Sequence, residues 1–568
     1  MFTEPASQPA SQPASQPASQ PASQPASQPA TYRIIHFFSA FVSVIIPARN
    51  SFLLFYFFIN QFVGRLKLAV LSKLDLLLKL FIKRRLLLVF LLCPVLFSMP
   101  VYGLSSQTAK SINGSSPYLS FDNGKSASST IMPLLSITLP NKVVISALQD
   151  NSSATNPIVI DKAPSTFSDI VTNMPFANYP STTLANVVVT NNYWRDPDGD
   201  KLFTITGNMQ IKWENAAGED ITNYVKSNPN SELDACKSPY KLTLSADDGA
   251  LVTSYGIPDI GQFTGGSHSY YFYPSPPKVC YVQPNVAMDS SSYPYPGVNL
   301  SDLDGPDWVG GKGFVPKNPA SSSSNFPSTG ANNMEFYLIL GGITPETVLS
   351  INGSTVTYDG SSTSMNAYAR LSVQDTPGWG NSAKQKAIKV VLKSPGTNGA
   401  VLKDGVRPPS FPIFKIYSDT AKKNILYSFY LRRWYVPLTP RTYSSAYSTC
   451  KSLAGPYRLA RMEDYTNANN VDINWNGGIP GRSVNIYRRQ LSYKVNGKWI
   501  GGIFNEWGRT DNAPENYPNS AWLPTYYWAA SDDGVTTSPY DVWSGAGNVH
   551  YWDQTINSRR AACVLDFY

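Results

Sequence analysis

Three acidic residues at alternate positions, Asp196-Pro197-Asp198-Gly199-Asp200, are the stretch whose chemistry best suits a hard cation. Calcium takes carboxylate oxygens, and a glycine lets such a loop turn sharply. The stretch lacks the closing glutamate of an EF-hand, and acidic turns also join strands in β-sandwiches. The plain turn is the expectation, with calcium at Asp196, Asp198 and Asp200 as the alternative, so no cofactor is expected. Catalysis has little to work with. The histidines are His36, His268 and His550, and no nucleophile elbow, His-Glu-x-x-His pair or phosphate loop is present. The adjacent acids Glu463-Asp464 and Asp532-Asp533 point apart, although the paired acids of a glycosidase meet only in the fold. The chain reads as a binding protein and not an enzyme, with a carbohydrate-active enzyme as the alternative.

The cysteines narrow the setting. Apart from Cys93, they are Cys236, Cys280, Cys450 and Cys563, with no Cys-x-x-Cys pair and no histidine nearby. A zinc site is not expected, and an even number of spaced cysteines in an exported chain predicts two disulfides. The pairs Cys236–Cys280 and Cys450–Cys563 each stay within one candidate domain.

Charge excludes a class of partner. The net charge of +8 is concentrated at the start, where residues 1–103 hold nine Lys or Arg against two acids. The remainder carries 37 basic and 36 acidic residues, without the basic field that nucleic-acid binding needs.

Aromatic residues concentrate at the other end. Eight of the 12 tryptophans fall in the last 135 residues, at 434, 475, 499, 507, 522, 528, 543 and 552. One small core cannot absorb them all, and exposed Trp or Tyr beside Asn and Arg suits sugar rings or protein hot spots. Residues 505–517 are polar and broken by proline, which predicts a long surface loop. The expected contacts are Trp507, Arg509, Asn512, Trp522, Tyr526 and Trp543, and the expected partner is a glycan or a host surface protein. Trp499, Trp528 and Trp543 as core fillers are the competing assignment.

The elements that must position these residues follow in chain order. Residues 1–30 carry six copies of Pro-Ala-Ser-Gln and cannot form a core. Residues 31–103 are a hydrophobic leader. It ends in Lys83-Arg84-Arg85, an uncharged run from Leu86 and small residues before a predicted cleavage after Gly103, the parts of a signal peptide. A membrane anchor made from the same leader is the alternative, and no other membrane contact is expected. Residues 104–183 read as a Ser/Thr/Asn-rich stalk. Residues 184–430 read as β-sandwich, with strands at 186–190, 334–340, 387–393 and 411–417. Hairpins are predicted at 241–255, turning at Asp248-Gly249, and at 348–358, turning at Asn352-Gly353. Residues 431–568 form the head, opened by a helix at 444–453 and closed by a strand at 559–565.

Within the head, Pro456-Tyr457-Arg458-Leu459-Ala460-Arg461-Met462-Glu463-Asp464-Tyr465 follows a cysteine-bearing helix. Tyr527-Trp528-Ala529-Ala530-Ser531 and Ala561-Ala562-Cys563-Val564 come later. In this order they resemble the helix passage, the Tyr-Trp strand and the last strand of bacterial C-type-lectin-like domains. Such domains cap intimin- and invasin-type adhesins, after immunoglobulin-like modules. The resemblance implies a mainly β chain: immunoglobulin-like β-sandwich modules, then a C-terminal α+β C-type-lectin-like head. It implies an exported bacterial adhesin at the cell surface or outside the cell, with a structural envelope or appendage component as a further alternative. The Glu-Pro-Asn and Trp-Asn-Asp motifs of calcium-dependent sugar binding are not matched by Pro514-Glu515-Asn516 or Tyr551-Trp552-Asp553.

Overall fold

Strands Asn208–Glu214 and Tyr240–Ala246 bury every second side chain, the period of a sheet covered on one face. They lie at the centre of a five-stranded sheet with Ile158–Val159, Gly266–Tyr273 and Ser181–Thr183. A second sheet of Leu202–Ile205, Gly249–Thr253 and Ile260–Phe263 sends Ile205, Leu251 and Phe263 into the same core. This computed structural model describes residues 114–291, 300–358, 363, 366–379, 383–395, 400, 412–511, 513–530, 540–552 and 559–567. The repeat, the leader and its cleavage point lie outside the described residues.

Several expectations for this part are corrected. The stalk is packed from residue 114 onward: Leu119, Leu134, Leu135, Ile160 and Phe167 belong to the same core as the sheets. Its short apolar runs are long enough to place one or two side chains inward each, and Tyr270 pins it by donating to the Leu135 carbonyl at 2.8 Å. Residues 241–255 are not a hairpin, because Tyr240–Ala246 and Gly249–Thr253 lie in different sheets. The corner between them is tied by aspartates: Asp247 accepts the Asn208 N–H at 3.0 Å and Asp248 the Gly265 N–H at 2.6 Å. Residues 186–190 are helical, within Leu184–Thr190. Thr183 caps that helix, and Leu184, Val187 and Val188 make its buried stripe, which outweighs the strand preference of three valines.

The second hairpin is also a helix, Pro345–Asn352. Thr344 caps it, Pro345 opens it, and Gly353 ends it in the left-handed region at φ 75°. The strands expected at 334–340 and 387–393 are present as Glu335–Gly341 and Lys386–Lys393. The described part of 411–417 forms Ile413–Tyr417.

A second core runs from Val279 to Phe567 without a break at residue 431. One of its sheets has seven strands, ordered Trp308–Val309, Gly313–Phe314, Lys278–Pro284, Glu335–Gly341, Lys386–Lys393, Tyr368–Asp375 and Thr355–Val356. The other follows the order Thr329–Ala331, Arg433–Leu438, Arg560–Asp566, Tyr526–Ala529, Tyr540–Trp543 and Val549–Tyr551, with Arg458–Leu459 beside Arg560–Asp566. Its first strand comes from upstream and runs parallel to Arg433–Leu438, Gly330 facing Trp434. A Cβ on Gly330 would sit 2.9 Å from Leu392 and 3.2 Å from Trp434, so glycine permits that approach. The head expected at 431–568 therefore shares a sheet and a core with residues before it.

Both expected disulfides are present. Cys450–Cys563 ties helix Tyr443–Ser452 to strand Arg560–Asp566 across 113 residues, which constrains the unfolded chain by up to ~4.7 kcal/mol in the loop-entropy treatment. Tyr443, Ala446 and Cys450 form the buried face of that helix. Cys236–Cys280 links a turn at the edge of the first core to strand Lys278–Pro284 of the second. It staples a junction, with the Asp234–Lys278 ion pair at 2.7 Å beside it.

Candidate functional site

The residues expected to make contacts separate into three fates. Trp507 and Trp522 are fully buried, which corrects their assignment to a binding surface. The Trp507 indole donates to the Thr329 carbonyl at 3.0 Å and packs 4.8 Å from the Phe326 ring; Trp522 lies 5.1 Å from Tyr527. The cause is Glu506. Its carboxylate accepts the N–H and hydroxyl groups of Ser328, Thr329 and Ser492, so a charged residue can carry its neighbour inside. Arg509 is exposed but turned onto Asp511 at 2.6 Å, which also accepts from Ala513 and Asn516. Asn512 lies outside the described residues.

Tyr526 and Trp543 do come together, with ring centroids 4.8 Å apart on paired strands. The Arg559 guanidinium stands 4.2 Å over Tyr526 and 4.8 Å from Trp552, and its Nε donates to Asp541 at 2.6 Å. Burial lowers the His550 pKa, opposed by Asp541, so the imidazole is neutral at pH 7. This is a half-buried aromatic edge ending in exposed Tyr551 and Trp552.

The aspartates of the calcium alternative place their oxygens within 4.8 Å of one another. Two of those oxygens are engaged by backbone: Asp196 Oδ1 accepts the Asp198 and Asp200 N–H groups at 2.9 and 3.1 Å, and Asp198 accepts that of Ser115 at 2.5 Å. These are the bonds of an acidic turn, while Asp196 Oδ2 is buried without a hydrogen-bond partner.

A groove of about 1010 Å³ lies elsewhere in the second core. Its outer wall is a hairpin, Tyr493–Val495 and Lys498–Ile500, joined by Asn496 and Gly497 at φ 48° and 82°. Two left-handed residues make the type I′ turn that matches strand twist. Lys494 and Trp499 face each other across this hairpin. The opposite wall comes from Pro456, Arg458, Arg461, Glu463, Trp475 and Gly477, and the floor from Arg432, Arg433, Asp566 and Phe567. Trp475 is fixed by an indole N–H bond to the Ala468 carbonyl at 3.2 Å. A Cβ on Gly477 would lie 2.3 Å from that ring, so a glycine is needed where the indole lies along the chain.

The floor is an ion network. Asp464, fully buried, accepts from Arg433 at 3.0 Å and from Arg458 at 2.5 Å, and from the Arg461 N–H at 2.7 Å. Asp566 takes Arg458 at 2.8 Å and Arg433 at 3.4 Å. Burial alone would raise the Asp464 pKa; the two guanidiniums outweigh it and hold the carboxyl well below its usual range. Two cations and two anions cancel there. The rim does not cancel. Arg432 gives its N–H groups to neutral acceptors, the Tyr430 hydroxyl and the Ser492 and Ser323 carbonyls, while its plane stands 4.3 Å over Trp499. Lys494 lies 4.9 Å from the same ring. A smaller hollow of about 360 Å³ adjoins the groove and shares Arg432, Lys494 and Trp499.

No family model and no curated protein matches the sequence. Among solved structures the chain is similar to invasin, a bacterial integrin-binding protein. The identity is 12% and the TM-score 0.27, over 66% of this chain and 53% of that one. The chain thus spans about half the length of that structure, and no site or partner is transferred from it.

The groove residues are not among the contacts expected from the sequence, where Trp499 enters only as a core filler in the competing assignment. A signal existed: Asn496-Gly497 between Tyr-Lys-Val and Lys-Trp-Ile is a strong hairpin pattern, and its register sets Lys494 beside Trp499 on one face.

Proposed function

We propose that this chain is an exported surface adhesin that recognises a glycan or a host surface protein, without turnover, through the groove around Trp499. The observation that carries this reading is the groove itself: an open, aromatic and cationic cleft on a disulfide-bound scaffold. Disulfides belong to oxidising compartments, which supports export to the cell surface or the medium. Concave sites with a few fixed polar groups are the usual form of ligand sites. The head is read as C-type-lectin-like, supported by the disulfide from its first helix to its last strand and by the antiparallel pairing of Arg433–Leu438 with Arg560–Asp566. The first core is read as an immunoglobulin-like module, supported by two sheets sharing one interior. Cells producing the whole chain should adhere to a surface bearing the ligand, and Trp499→Ala should reduce adhesion at least tenfold with surface display unchanged. Equal adhesion by the variant would remove the groove from the function.

A further inference from the structure

We infer that the groove takes an acidic polysaccharide, one carrying carboxylate or sulfate groups along its chain. This rests on the proposed adhesin reading and specifies its ligand.

The first observation is uncompensated charge. The network beneath neutralises Arg433 and Arg458 with Asp464 and Asp566. Glu463 lies 3.7 Å from Arg461 and offsets that residue. Arg432, Lys494 and Lys498 remain, and among the described residues none of the three forms an ion pair with a carboxylate. Since residues 104–568 are almost neutral, such a local excess is not a by-product of a basic chain. Arg432 is held by three hydrogen bonds, Lys494 and Lys498 are exposed at the rim, and a cleft lined by one sign of charge concentrates counter-ions.

The second observation is shape and surface. A protein partner of ordinary affinity covers ~800 Å² of a fairly flat face. Here the accessible surface is a trough of about 1010 Å³ with a continuing hollow of about 360 Å³, and indole rings stand in its walls. Trp475 keeps its N–H on its own backbone, which leaves its ring as an apolar wall. Aromatic walls suit the C–H faces of sugar rings. Cations set beside them suit the carboxylate or sulfate on those rings, a charge-assisted hydrogen bond. An acidic polypeptide would satisfy the cations but not the indole walls.

The test uses the chain as its producing cells export it, purified with both disulfides formed, and four immobilised probes: a polyuronate, a sulfated glycosaminoglycan, neutral dextran and poly-glutamate. Binding to the polyuronate or the sulfated chain is expected, weakening steeply as salt rises from 50 to 500 mM, with the two arms separating carboxylate from sulfate. Lys494→Glu with Lys498→Glu should lower that binding at least tenfold. Lys125→Glu with Lys201→Glu, an equal charge change on the first core, should leave it within twofold. Matching melting curves for the two variants show that both are folded. Binding to dextran or poly-glutamate with the polysaccharides inert would overturn the inference, even if Trp499→Ala still abolishes adhesion and the adhesin reading stands. Acidic-chain binding that ignores the Lys494/Lys498 reversal would overturn it too, as would no binding to any probe.

Discussion

In the first core, residues 114–273, the interior is filled by apolar side chains, and Asp169 is the buried charge among its described residues. In the second, Asp289, Glu335, Arg433, Asp464, Arg489, Glu506, Asp511, Asp541 and Arg560 are all buried. Strand content does not set the two apart, since both cores carry long irregular segments beside their sheets. In the second, segments 466–492 and 508–525 hold no strand among their described residues, and buried polar side chains meet their backbone groups. Asn467 shows how: it donates to the Arg488 carbonyl and accepts the Arg488 N–H, both at 2.8 Å, in place of a strand neighbour. Asn505 does the same between the Gln490 carbonyl and the Gly502 N–H. Polar composition there marks an interior wired by side chains.

The comparison can be broken by substitution. Replacing Cys450 and Cys563 by serine should cost the second core up to ~4.7 kcal/mol by loop entropy, read as a lowered urea midpoint. Glu506→Ala strands the donors of Ser328, Thr329 and Ser492 without an acceptor. A loss of ~3–5 kcal/mol is expected, and a loss below ~1 kcal/mol would mean that water reaches them. Leu242→Ala in the first core removes apolar volume alone and should cost ~2–5 kcal/mol with no new pH dependence. Acid sharpens the contrast. Asp464 is depressed in the folded state, so its contribution is complete above its unfolded pKa of ~3.9 and is lost as pH falls through the lower folded value. Stability measured from pH 5 to pH 2 should fall less steeply in Asp464→Asn than in the parent chain. The smallest effect is at the acidic turn: Asp196→Ala should cost ~1 kcal/mol through two lost backbone hydrogen bonds.

How much was legible depended on how local the deciding interaction is. The cysteine pairs, the helix Tyr443–Ser452 and the strands Glu335–Gly341 and Lys386–Lys393 rest on spacing or period, and spacing is in the sequence. Asn-Gly occurs at 352–353 and at 496–497, with opposite outcomes. After Thr344-Pro345 it ends a helix; between two short strand patterns it turns a hairpin. The dipeptide alone was ambiguous, and its flanks held the answer in both places. Trp507 was beyond reach, because two of the three residues that satisfy its neighbour Glu506, Ser328 and Thr329, stand 178 and 177 residues away. Pairing Thr329–Ala331 with Arg433–Leu438 likewise joins segments that composition had divided at residue 431.

Trp499 and Trp543 offer the most direct test, since one stands in the groove and the other in the aromatic edge favoured by composition. Surface binding by the purified chain should be measured for Trp499→Ala and Trp543→Ala side by side, with melting curves confirming that both fold. A loss of at least tenfold for Trp499→Ala, with Trp543→Ala within twofold of the parent, is predicted. Loss confined to Trp543→Ala would place recognition at the sheet edge and contradict the groove.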